Sequence, residues 1–163
     1  MRYSLLVILA ALPLCAADAV SSKAYGGAQT QEIIRLRLDR GDLLLESIQS
    51  AIQAKGIQDG ALLTGVGTLQ ECTYHFVTSL AAKAEEEFKT VKGPMEILSI
   101  TGLIAAGEPH LHITLSDKSH VFGGHLEKGC RVLYRGEITI AKFSGAPLER
   151  KLNREGVPML QPK

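Results

Sequence analysis

The 163-residue chain has no tryptophan, only four phenylalanines and four tyrosines, and three cysteines. So few aromatics leave an aliphatic core, and three cysteines exclude a miniprotein stapled by disulfides. Neither sign of charge dominates: 18 Lys and Arg stand against 17 Asp and Glu, a formal net charge of +1. Nucleic-acid-binding domains usually show a clearly basic face or stripe, and no such footprint is present. Hydrophobic residues at 45% and charged residues at 21% exclude both a disordered tail and a polytopic membrane protein. The length suits one domain. Glycine is plentiful, at 16 residues beside six prolines, which points to many turns.

The apolar run Leu5 to Leu14 is too short to span a bilayer as a stable helix but suits the core of an export signal. Arg2 supplies a positive start, and Ala17-Asp18-Ala19 puts small residues where a signal peptidase reads. Cleavage is expected after Ala19, with Ala17 as the fallback; an ordinary buried N-terminal helix is the structural alternative. Acylation of Cys15 fits poorly because the bulky Leu14 precedes it. The expected location is periplasmic or secreted, with no membrane span once residues 1–19 are removed. Cys72 and Cys130 then remain, either as one disulfide or as two small buried residues. The unpaired state is favoured.

Residues 20–30 are small and polar, with Gly26-Gly27, and suit a flexible leader. Glu32 to Asp39 alternates with period two, so Ile34, Leu36 and Leu38 share a strand face. Leu44, Leu45, Ile48 and Ile52 have helical spacing. They predict a covering helix over Leu43 to Lys55, with Asp42 as N-cap and Gly56 beyond its end. Strands are expected at Ala61–Leu69, Glu71–Thr78, Glu96–Ala105, His110–Leu115, His120–Leu126 and Arg131–Phe143. The second of these is taken as antiparallel to the first. Ala81 to Val91 is either a helix or a polar excursion between strands. Gly65-Val66-Gly67 lacks the lysine and third glycine of a phosphate loop, so strand packing or a bulge explains it better. This pattern is α+β, a mostly antiparallel sheet with one main helix. Residues 151–163 are expected to be an extended tail.

The histidines carry the informative chemistry. His110 and His112 are two apart on a predicted strand and therefore project from one face, while Leu111, Ile113 and Leu115 take the other. His125 follows a hairpin-like turn, and Gly123-Gly124 before it permits close backbone approach. Three imidazoles suit Zn²⁺ or another divalent ion and leave a fourth position open. Surface histidines that bind nothing are the alternative. His120 is a spare ligand, and His75 suits a hydrogen-bonded structural histidine. Glu108 is a candidate partner for His110. Glu96 is the candidate catalytic residue, as general base or as ligand, if its strand faces the site. No nucleophile elbow or activated thiolate is recognisable.

Three segments in order, Gly93-Pro94-Met95-Glu96-Ile97-Leu98-Ser99-Ile100-Thr101-Gly102, Pro109-His110-Leu111-His112-Ile113 and Val121-Phe122-Gly123-Gly124-His125-Leu126, resemble the PPC domain. This is the plant and prokaryote conserved domain, also found in AT-hook nuclear-localised proteins. The likeness covers roughly residues 31–150. It implies an α+β homotrimer related to folds in which three histidines hold zinc, as in acetolactate decarboxylase. It also implies metal ligation at His110, His112 and His125. The DNA-binding label of the family is not expected to carry over, because there is no Arg-Gly-Arg-Pro hook and the basic residues are dispersed. Three functions follow: an exported trimeric metalloprotein with a small-molecule site, a DNA-binding regulator, or a non-catalytic oligomeric scaffold.

Overall fold

The structure, a computed structural model, describes residues 22–145 and 147–163. The export signal expected over residues 1–19 lies outside the described residues. Among the described residues the chain forms eight strands and one helix. Strand β1 spans Gln29–Asp39, helix α1 Leu44–Ala54, β2 Asp59–Val77 and β3 Glu86–Ala105. They are followed by β4 at Glu108–Ser116, β5 at Val121–Leu126 and β6 at Arg131–Ser144. These six strands make an antiparallel sheet in the order β1-β6-β2-β3-β4-β5. The α+β architecture with one covering helix is the one the sequence predicts.

Period-two alternation sets the faces. On β1, Ile34 and Leu38 are buried; on β4, Leu111, Ile113 and Leu115 are buried while His110 and His112 are exposed. Helix α1 buries Leu44, Leu45, Ile48 and Ile52 and packs against β1 and β6. Each such side chain contributes about 1.5–3 kcal/mol when fully buried. Asp42 does not cap this helix. Its carboxylate instead accepts the Asp39 N–H at 2.8 Å, tightening the turn after β1. The helix N-terminus is served by the Cys130 carbonyl, which accepts the Leu44 N–H at 2.8 Å. Gly56, at φ +57°, ends the helix in the left-handed conformation that glycine adopts readily.

Four expectations need correction. Ala61–Leu69 and Glu71–Thr78 are one strand, not an antiparallel pair. The register shifts between Leu69 and Glu71, and a bulge there bends the chain without reversing it. Most of Ala81 to Val91 is neither helix nor excursion: Glu86 to Val91 pairs with Cys72 to Val77 as the start of β3. The C-terminal tail folds into a hairpin of β7, Leu148–Leu152, and β8, Pro158–Pro162. Lastly, Cys72 and Cys130 are joined by a disulfide. The β2–β6 pairing places Glu71 opposite Arg131 and brings these two fully buried cysteines together.

Gly65 packs against the side chains of Ile100 and Ile138, and no helix follows it, so the glycine pair is sheet packing rather than a phosphate loop. Among the described residues no helix is long and apolar enough to cross a membrane. One feature of the sheet builds the site. Its edge curls round until β5 pairs with β2 as well as β4, through Tyr74 opposite Leu126 and His75 opposite His125.

Candidate metal centre

His125 stands opposite His112 on β4 and opposite His75 on β2. Residues directly opposite in an antiparallel ladder share a face, so three imidazoles form a row across three strands. His110, two residues before His112, joins them from the same face of β4. The ligand nitrogens of His110, His112 and His125 all lie within 4.8 Å of one another. The Nε2 atoms of His110 and His112 are 3.3 Å apart. The ring centroids of His110 and His125 are separated by 4.9 Å, and those of His112 and His125 by 5.5 Å.

Gly124 makes this convergence possible. A Cβ there would run into the His75 carbonyl, so only glycine lets β5 approach β2 at the level of His125.

His75 and Glu127 belong to the same cluster, and the sequence did not reveal them as members. The His75 ring stacks on His125 at 4.5 Å between centroids. Its Nδ1 lies 2.7 Å from a Glu127 carboxylate oxygen, which can only accept, so Nδ1 carries the hydrogen. His75, His125 and Glu127 form a second group with donor atoms inside 4.8 Å. The expectation that His75 is hydrogen-bonded is met, but its place beside His125 depends on the β2–β5 pairing. Nothing local in the sequence signals that contact.

The other candidates are placed apart. Glu96 is exposed and lines a different hollow with Thr68, Tyr134, Arg135 and Glu137, so it does not face the histidines. Its register partner on β4 is Ser116, at the far end of that strand from His110. His120 sits in the β4–β5 turn, 75% exposed and 3.6 Å from the Asp117 carboxylate, so it is not a spare ligand. Glu108 does line the histidine cavity.

That cavity has a volume of about 810 Å³. The four clustered histidines form one part of its wall; Phe76, Val77 and Pro109 add apolar surface. The C-terminal hairpin adds Arg150, Val157 and Pro158. Burial pushes the pKa of His125 down from 6.5 to about 4, with the neighbouring His75 and His110 adding to the shift and Glu127 opposing it. Burial likewise lowers His110, helped by the Arg150 charge and by His112 and His75. Both imidazoles are therefore neutral at pH 7, the form that ligates metal.

The chain is 30% identical over 122 residues to the bifunctional protein GlmU of Synechococcus sp. (strain JA-2-3B'a(2-13)), covering 71% of this chain. It spans only 18% of the length of that curated relative and of its counterpart in strain JA-3-3Ab. Among solved structures, a PPC protein of Pyrococcus horikoshii superimposes with a TM-score of 0.73 at 26% identity, covering 85% of this chain and 97% of that one. A metal-containing protein of Archaeoglobus fulgidus gives a TM-score of 0.74 at 24% identity, covering 85% and 99%. A third, from Bacteroides thetaiotaomicron and named as a DNA-binding candidate, gives 0.71 at 22% identity, covering 82% and 94%. Residues 25–144 match the model of the Plants and Prokaryotes Conserved (PCC) domain, and the chain belongs to that family.

Proposed function

We propose that this protein binds a divalent metal ion, zinc by preference, through His110, His112 and His125. The observation that carries this is the convergence of three ligand nitrogens within 4.8 Å from two adjacent strands. The donor set fits the ion. His110 and His125 are held neutral at pH 7, three imidazole nitrogens suit zinc, and three protein ligands leave a position open to solvent or substrate. When bound, the ion supplies Lewis acidity or an activated water. The chain's own residues orient the cluster. Glu127 fixes the His75 ring, which stacks against His125, and Phe76, Val77 and Pro109 add apolar surface to the cavity beside it.

The proposal includes a homotrimer and export. Leu63 on β2 and Leu98 and Leu103 on β3 are exposed apolar side chains on paired strands, the kind of surface that self-association covers. The Cys72–Cys130 disulfide suits an oxidising compartment outside the cytosol. DNA binding is the competing function, favoured by two structural neighbours named as DNA-binding candidates. The nearly balanced charge of the chain disfavours it.

The test is metal analysis of mature protein purified without a metal-affinity tag, beside a His110→Ala/His112→Ala variant. About one equivalent per subunit, lost in the variant, supports the site. No metal in either protein after reconstitution, together with salt-dependent binding to duplex DNA, would establish the competing function instead.

A further inference from the structure

Arg150 lies on β7, beyond the residues 25–144 that match the family, yet it lines the histidine cavity. Two backbone carbonyls hold its guanidinium. Nη1 donates to the Glu108 carbonyl at 3.0 Å and Nη2 to the Leu103 carbonyl at 3.1 Å. Both anchors locate it beside His110. Leu103 is the register partner of His110 on β3, and Glu108 precedes His110 by two residues on β4. Among the described residues no carboxylate comes within ion-pair distance of Arg150. A guanidinium has five N–H donors in a planar fork, so the two anchoring bonds leave donors free to receive a planar anion.

The charge count of the cavity bears on what that anion is. Its lining carboxylates, Glu86, Glu108 and Glu155, outnumber its cations, Lys83 and Arg150, by one, and Glu127 adds a further negative charge behind His75. A divalent ion on three imidazoles offsets that excess, so the guanidinium, without an ion-pair partner among the described residues, is the group left to receive an anion. Phe76, Val77, Pro109, Val157 and Pro158 supply apolar wall, which suits a hydrocarbon tail better than a fully hydrated inorganic ion.

We infer that the cavity binds a small aliphatic carboxylic acid and that Arg150 receives its carboxylate. This rests on the metal-binding proposal above. It makes the C-terminal hairpin a substrate-selecting addition, because β7 brings the arginine while the turn into β8 brings Val157 and Pro158.

The test titrates zinc-loaded protein with isovalerate, with its neutral amide and with inorganic phosphate. Wild-type protein should bind isovalerate at least about tenfold more tightly than the amide, the discrimination that a charge-assisted pair provides. Arg150→Gln should lose about tenfold in isovalerate affinity while keeping its zinc, and Arg150→Lys should recover part of the loss. Equal affinity for acid and amide in the wild type overturns the inference without any variant. So does unchanged isovalerate binding by Arg150→Gln, or binding of phosphate alone. Each of these leaves the metal site standing, whereas wild-type protein that holds no zinc removes both proposals.

Discussion

The Nδ1 of His75 meets a Glu127 carboxylate oxygen at 2.7 Å, and the same His75 ring stacks on His125 at 4.5 Å. A residue of β2 is thus fixed by one just past β5 and pressed against a candidate ligand within β5. Glu127 also helps to hold the local backbone, since its N–H donates to the Thr73 carbonyl at 3.1 Å. The pair therefore orients the cluster, whereas His110 and His112 supply donors.

This division of labour separates two sets of variants. His75→Ala and Glu127→Gln should keep the metal stoichiometry and weaken affinity by about tenfold, the usual cost of removing an orienting partner. His110→Ala should lose the ion. Competition with a chromophoric chelator reads both effects. Complete metal loss in His75→Ala with retention in His110→Ala would move the site to His75, His125 and Glu127.

Acid should release the metal late and also weaken the apo fold. His125 has its pKa lowered to about 4 from 6.5, so between those values the unfolded chain binds more protons at this position than the native one. By linkage this contribution to stability is complete above pH 6.5 and falls as pH drops toward 4. His110 shifts in the same direction. Thermal melts of metal-free protein should be flat in this contribution above pH 6.5 and decline below it. In the His125→Gln variant the decline should be shallower. An equal slope in the variant would show that His125 is not the source.

The disulfide closes a loop with a sequence separation of 58 residues and ties β2 to the residue just before β6. Cross-links of that span stabilise by about 2–4 kcal/mol, chiefly by constraining the unfolded chain. A Cys72→Ala/Cys130→Ala variant should show a urea midpoint lowered to match, and reductant should have no further effect on it. Intact-mass analysis showing two free thiols in the native protein would contradict the pairing.

Gly124 is the position where a single methyl group should be felt at the site. Its Cβ would collide with the His75 carbonyl, backbone that cannot rotate aside. Gly124→Ala should cost about 1–3 kcal/mol of stability, the usual range for forced overpacking, and should weaken metal binding as β5 moves off β2. Gly129, where the same addition meets nothing within 4 Å but φ is +92°, is a useful comparison. Alanine there should destabilise through backbone strain and leave metal affinity unchanged.

These effects also mark what the sequence could reveal. The covering helix was legible because Leu44, Leu45, Ile48 and Ile52 repeat at helical spacing, and β4 because His110 and His112 alternate with buried Leu111 and Ile113. His112 and His125 were legible together because a short hairpin joins them. His75 and Arg150 were not legible as members, since each reaches the cavity through long-range geometry, and Glu127 gains its role only from the His75 that this geometry brings to it. That geometry is the curl of β5 onto β2 and the return of the chain through β7. The unbroken run of β2 was hidden for a related reason. The bulge near Gln70 breaks the alternation as a turn would, and only the partner strands show that the chain continues. Asp42 had the right residue type for an N-cap but spends its carboxylate on Asp39.

Anomalous diffraction at the zinc edge, from crystals of the protein grown after zinc reconstitution, tests the metal site most directly. A single peak about 2.0–2.1 Å from a ring nitrogen of each of His110, His112 and His125 is expected. A peak bound instead by His75, His125 and Glu127, or no peak on this histidine face, would contradict it.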